Sequence, residues 1–331
     1  MDYRITRLRC FAIIVVVFGH SIILYDPNWG MYSTKYEVTS LMYIKHIINT
    51  FQMPLFLFIS GVCFYYSVKK HKYINRQSIL NGIVGKSKRL LIPFVFIALF
   101  WMIPIRIICR YTSWNNLNFM QIFTRVFLGK DSGHLWFLPT LFLIFVISFA
   151  ILPRINKKLF DILILIIALC LSVMSHMIPA ILFLNNTASS LYWFILGYEF
   201  CKYYKYNWMF KYSRTRWWML AFSILIILFV VIWGRSDLFA KFSEIVAVTF
   251  LLLSAYMCTS SRKCSAVCQL ISDKSMGVYL IHSPLIYFTY SYLANISPSC
   301  VVLINFFACG FVALILTCHL SESKEKWLIG Y

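Results

Sequence analysis

The groups in this chain best suited to chemistry are three histidines set in or beside apolar runs. His20 follows Ala12-Ile-Ile-Val-Val-Val-Phe-Gly19 and stands eleven residues after Arg9. Eleven residues make about three helical turns, so both side chains share one face, about 16 Å apart along the axis. An uncharged imidazole held inside a membrane can accept a proton, which suits a general base. The competing role is a ring that bonds a neighbouring helix and does no chemistry. His282 lies in Tyr279-Leu-Ile-His-Ser-Pro284, beside a helix-bending proline. His134 lies in Gly133-His-Leu-Trp-Phe-Leu-Pro139 and could bind a polar substrate, whereas Trp136 also fits an interfacial anchor. Glu199 and Glu244 are carboxylates within apolar runs, and either could hold an imidazole or a substrate hydroxyl. Phe51-Gln-Met-Pro-Leu-Phe-Leu-Phe-Ile-Ser-Gly61 should kink at Pro54 and approach another helix closely at Ser60-Gly61. In Lys86-Ser-Lys-Arg-Leu-Leu-Ile-Pro93, Lys86 and Arg89 are neighbours on one helix face. They could clamp a phosphate or simply flank a membrane span.

The elements that must position these groups follow from composition. Of 331 residues, 61% are hydrophobic and 13% charged, about half the charge of a soluble domain. A spanning helix takes about 20 apolar residues. The apolar runs fall near 9–25, 48–68, 90–109, 134–152, 160–179, 188–204, 217–234, 239–259, 276–294 and 300–320. They predict an all-α, polytopic membrane protein with about ten spans, one domain over 1–331 and no room for a soluble domain. The longest remaining loops are near 26–47 and 110–133.

The net charge of +20 would suit nucleic acid, but the basic residues cluster between apolar runs, which argues against such a partner. Of the 31 Lys and Arg, 23 fall in alternate segments beginning at the N-terminus and eight in the others. This asymmetry predicts that both termini are cytoplasmic. The first run reads as a retained signal-anchor, since Tyr25-Asp-Pro-Asn-Trp-Gly lacks a small-residue cleavage pattern. The eleven cysteines read as small buried hydrophobes, without metal-ligand spacing.

Taken together and in order, these motifs resemble the acyltransferase-3 family of bacterial membrane O-acyltransferases. The matching pieces are Arg9-x10-His20, Met53-Pro-Leu-Phe-Leu-Phe-Ile-Ser-Gly61, the basic run before Pro93, His134-Leu-Trp-Phe-Leu-Pro139, Phe194-Ile-Leu-Gly-Tyr198 and Tyr279-Leu-Ile-His282. They run from the first span to the ninth. Lys86 stands where Arg is common, Thr6 where an acidic residue often stands, and Cys10 where Gly is usual. The single-domain subset that includes fucose O-acetylase-like proteins looks closest. Some relatives carry an added periplasmic hydrolase-like domain, which a chain ending at Tyr331 is not expected to have.

The resemblance implies a multi-pass protein of the bacterial inner membrane that moves an acetyl or related acyl group from cytoplasmic acetyl-CoA, a co-substrate rather than a resident cofactor. The acceptor would be a hydroxyl of a cell-surface or lipid-linked glycan: O-antigen, capsule or exopolysaccharide. It implies His20 as the catalytic residue and Arg9, Lys86 and Arg89 as the holders of the acyl donor. Ser60, His134, Trp136, His282 and Glu199 are the candidates for substrate or oxyanion contacts. Transfer could be direct or pass through a covalent acyl intermediate. The alternative is a secondary transporter or lipid-linked sugar flippase, which broken spans and intramembrane His and Glu also fit. No inverted repeat links the two halves.

Overall fold

The computed structural model describes residues 2–73, 75–154, 157–204, 213–233 and 238–331. Among these residues there is no strand. The helices are α1 Tyr3–Ser21, α2 Thr39–His71, α3 Arg76–Ile108, α4 Phe119–Phe127, α5 Gly133–Arg154 and α6 Lys158–Met177. They continue with α7 Leu184–Tyr203, α8 Ser213–Trp233, α9 Leu238–Cys258, α10 Ala266–Tyr292 and α11 Pro298–Glu322.

Seven of the described helices, α2, α3, α5, α6, α8, α9 and α11, are long and apolar enough to cross a membrane. The most apolar stretch of α6 is only 11% buried, and that of α8 only 17%. Such bare apolar helices require a lipid surround, where each helix satisfies its own backbone. The protein is therefore an all-α, polytopic membrane protein. The remaining long helices, α1, α7 and α10, are more polar. α7 and α10 bury most of their length against protein, so their faces need not be oily all round.

Several sequence-based boundaries move. α2 begins at Thr39 rather than near 48, which turns Lys45 from a loop residue into a helical one. The expected loop over 110–133 contains α4, started by a capping box in which Asn118 and Gln121 bond each other's backbone. α2 also runs through Pro54 without interruption. Gly234, at the end of one predicted run, and Lys205, Lys211 and Arg235 of the charge count lie outside the described residues.

The chain forms two compact units. The first comprises Met1–Arg9, Thr50–Lys86 and Thr140–Ser265; the second comprises Cys10–Asn49, Ser87–Pro139 and Ala266–Tyr331. In the first unit α2 and α7 meet through glycines. A Cβ at Gly61 would sit 1.9 Å from the Phe194 carbonyl oxygen, and one at Gly197 would sit 2.1 Å from that of Phe58. The Phe-Ile-Ser-Gly and Phe-Ile-Leu-Gly stretches are thus two halves of one close backbone crossing. Aromatic rings fill in around it, with Phe64 edge-on to Phe149 at 4.9 Å and Phe145 edge-on to Phe194 at 5.2 Å.

The second unit is built around α10. Gly277 of α10 lies against Thr317 of α11. Trp101, on a π-helical turn of α3 over Ala98–Met102, donates its indole N–H to the Ile281 carbonyl at 3.1 Å. Tyr290 donates to the His20 carbonyl at 2.7 Å, fixing the end of α1. The segment after α1 folds over the same end, where Thr34 bonds the Ala294 carbonyl at 2.8 Å and Trp29 packs on Tyr290.

Candidate active site

The three histidines singled out above meet inside the second unit. His20 Nδ1 lies 2.8 Å from His282 Nε2, and the His134 ring centre is 6.5 Å from that of His20 and 6.1 Å from that of His282. His282 is fully buried and His134 is 6% exposed, whereas His20 keeps partial exposure. Among the described residues the hydrogen-bond partner of His20 is therefore a second imidazole rather than the carboxylate of Glu199 or Glu244.

Backbone carbonyls fix which nitrogen carries each proton. A carbonyl can only accept, so His282 Nδ1–H donates to the Val278 carbonyl at 2.8 Å. In a neutral ring this leaves Nε2 of His282 as an acceptor, and His20 must donate to it from Nδ1. Nε2 of His20 is then a bare lone pair on the one ring of the three that is partly exposed. A group in that state can take a proton from a bound hydroxyl.

His134 is fixed by a different device. Pro284 has no N–H, so the Leu280 carbonyl one turn earlier loses its helical donor. His134 Nε2–H supplies that donor at 3.1 Å. Nδ1 of neutral His134 is then a second bare lone pair, buried and without a hydrogen bond. Tyr279 secures the turn by donating to the His134 carbonyl.

Two cationic groups that sequence reasoning passed over flank the histidines. Lys45 is 2% exposed, has no hydrogen-bond partner among the described residues, and its charge acts on His20 and Asp26. Arg106 is 1% exposed. It donates to an Asp131 carboxylate oxygen at 3.1 Å and to the Tyr287 hydroxyl at 3.0 Å, and it stacks on Tyr111 with its guanidinium carbon 4.2 Å from the ring centre. The other Asp131 oxygen accepts from the Trp114 indole at 2.7 Å. Gly133, at φ +54°, lets the chain turn beneath Arg106, where a Cβ would meet Nη2 at 2.2 Å. Arg106 thus ties the segment before His134 to α10. Burial pushes the Tyr111 phenol well above its ordinary value despite the neighbouring guanidinium, keeping it a neutral hydroxyl. The signal for both cations was a charge among apolar neighbours, as in Ile105-Arg-Ile-Ile. Lys45 falls in the loop expected near 26–47 and Arg106 near the end of the 90–109 run, where each reads as an ordinary flanking charge.

The other predicted residues are placed as follows. Arg9 lies in the first unit with a guanidinium nitrogen 3.5 Å from Cys63 Sγ. Lys86, in the same unit, sits over the Phe145 ring at 4.1 Å. Ser60 donates back to the Phe56 carbonyl at 2.8 Å. Glu199, 7% exposed, lies 3.8 Å from Lys202, which Asp161 holds at 2.6 Å. Arg89 belongs to the second unit and is exposed. Trp136, also there, is half-buried edge-on to Phe137.

The fold and the site define a multi-pass, all-helical membrane protein with a buried imidazole pair. A family model described as an acyltransferase domain matches residues 2–321. The chain belongs to the acyltransferase-3 family and is a membrane acyltransferase, which decides against the transporter reading. Neither a curated protein nor a solved structure matches it.

Proposed function

We propose that this acyltransferase moves an acetyl group from cytoplasmic acetyl-CoA to a hydroxyl of a cell-surface or lipid-linked glycan, with His20 as general base. The observation that carries this reading is the Val278–His282–His20 hydrogen-bond chain, which leaves the lone pair on Nε2 of the partly exposed His20. Nε2 takes the proton of the acceptor hydroxyl as its oxygen attacks the thioester carbon. The tetrahedral intermediate then expels the CoA sulfur, which recovers the proton from His20. Direct transfer needs no further nucleophile.

Developing negative charge on the thioester oxygen calls for a preorganised donor. Ser60 has its proton engaged by Phe56, and neutral His134 offers a lone pair rather than an N–H. Lys45, buried, without a hydrogen-bond partner among the described residues and with its charge acting on His20, is the better supported group. His134 Nδ1 instead suits a second hydroxyl of the acceptor.

The donor would be held by Arg9, Lys86 and Arg89 through its phosphates. With both termini in the cytoplasm, as the 23 basic residues on the Arg9 side favour, the protein sits in a bacterial inner membrane with Arg9 at the inner face. His20 then lies toward the opposite face, where a glycan arrives. The test is His20→Ala in cells, with surface glycan examined by mass spectrometry. Loss of the acetyl mass from glycan of normal abundance is expected. Unchanged acetylation by a correctly inserted variant would remove His20 from the mechanism.

A further inference from the structure

Beside the Arg106 cluster a cleft of about 590 Å³ opens between α4 and the segment before it, within the usual size range of small-ligand sites. α4 is strongly amphipathic. Ile122 and Val126 are buried in the fold, and Phe119 and Met120 are bare at 62% and 66% exposure. Its polar stripe, Gln121, Thr124 and Arg125, lines the cleft. Across from it stands Tyr111, held rigid by Arg106 and by Trp114 edge-on at 5.5 Å. Tyr111 is itself buried and gives the cleft a rigid wall, while the amide and hydroxyl groups of the α4 stripe are suited to the hydroxyls of a sugar.

The charge in the cleft is unbalanced. Asp131 is its only carboxylate, and both of its oxygens are engaged by Arg106 and Trp114. Arg125 and Lys130 line the same cleft with no acidic partner among the described residues. Asp131 of the cleft holds Arg106 and stands three residues before His134, so the cleft adjoins the segment that leads to the histidines.

We propose that this cleft binds the acceptor as a saccharide carrying an anionic group, with Arg125 and Lys130 reading the anion and Gln121 and Thr124 the sugar hydroxyls. The proposal rests on the acyl-transfer reading for the role of the ligand, and it adds the ligand's chemical class. The anion has two possible sources, the carboxylate of an acidic sugar or the diphosphate of a lipid-linked one.

The test is calorimetric binding to the full protein in phosphatidylcholine nanodiscs, without acyl donor. The probes are a glucuronate-containing hyaluronan tetrasaccharide, neutral cellotetraose and inorganic pyrophosphate. At least one anionic probe should bind about tenfold more tightly than cellotetraose. Arg125→Gln with Lys130→Gln should erase that difference, and Thr124→Trp, which fills the cleft from an exposed position, should abolish saccharide binding. Preference for the tetrasaccharide assigns the anion to a sugar acid, and pyrophosphate binding assigns it to a carrier diphosphate. Failure of both anionic probes, equal binding of cellotetraose, or insensitivity to the double substitution overturns the proposal. No turnover is involved, so a failure here leaves the role of His20 untouched, and failure of that role leaves this result standing.

Discussion

Replacing His282 tests the hydrogen-bond chain at its most informative point. In the native protein the 2.8 Å bond from His20 Nδ1–H to His282 Nε2 fixes both the orientation and the tautomer of the base. His282→Leu keeps an apolar side chain in a fully buried place and removes the acceptor. A hydrogen bond of this kind contributes about 1 kcal/mol net, and a buried donor left unpaired costs about 1–3 kcal/mol. His20 escapes that penalty by turning or by moving its proton to Nε2, and either change removes the base. One to three kcal/mol corresponds to about 5- to 150-fold in rate. We expect kcat to fall about 100-fold, with KM for acetyl-CoA unchanged within about twofold. His282→Gln places an amide oxygen close to the lost Nε2 and should recover about tenfold of the deficit. The assay follows radiolabelled acetyl from acetyl-CoA into glycan in membrane vesicles, normalised to folded protein measured by thermal unfolding in detergent. Native kcat in a folded His282→Leu variant would refute the reasoning, as would Gln and Leu variants equally inactive despite native stability.

Other perturbations report on the supporting structure. Lys45→Met keeps the length of the side chain while deleting its ammonium, and should lower kcat about 100-fold without impairing folding, as removal of an oxyanion donor does; the same vesicle assay measures it. Gly133→Ala forces an L side chain to φ +54° and against Arg106 at 2.2 Å, so the thermal midpoint should drop with a loss of about 1–3 kcal/mol. Gly61→Ala drives a methyl into the Phe194 carbonyl, and folded yield in detergent chromatography should collapse. Gly85→Ala meets nothing within 4 Å and should be neutral or stabilising by about 0.5–1 kcal/mol.

The pairing of Pro284 with His134 shows where sequence reading ran out. The proline was legible as a helix-bending residue and the histidine as a polar group near a span. That one frees the carbonyl to which the other donates depends on the first turn of α5, Gly133–Trp136, lying against α10, and no local pattern carries that. The Asn118–Gln121 capping box was legible in principle, since both residues and their spacing are local. The nine residues of α4 were too few to stand out against the spans. Lys45 was lost for a related reason: hydropathy marks where a run becomes apolar, not where the helix begins.

By itself the sequence determined that the chain lives in lipid, because apolar content and run length answer to the solvent alone. It also determined that His20, His134 and His282 are unusual, because a polar ring among apolar neighbours is conspicuous without coordinates. Tertiary structure decided which of these rings touch, which nitrogen of each holds a proton, and that Arg106 braces the turn leading to His134. Those outcomes depend on directions and distances between residues as far apart as His20 and His282. Hydrogen bonds are settled within tenths of an ångström, a scale set by the packing of helices rather than by the order of residues along any one of them.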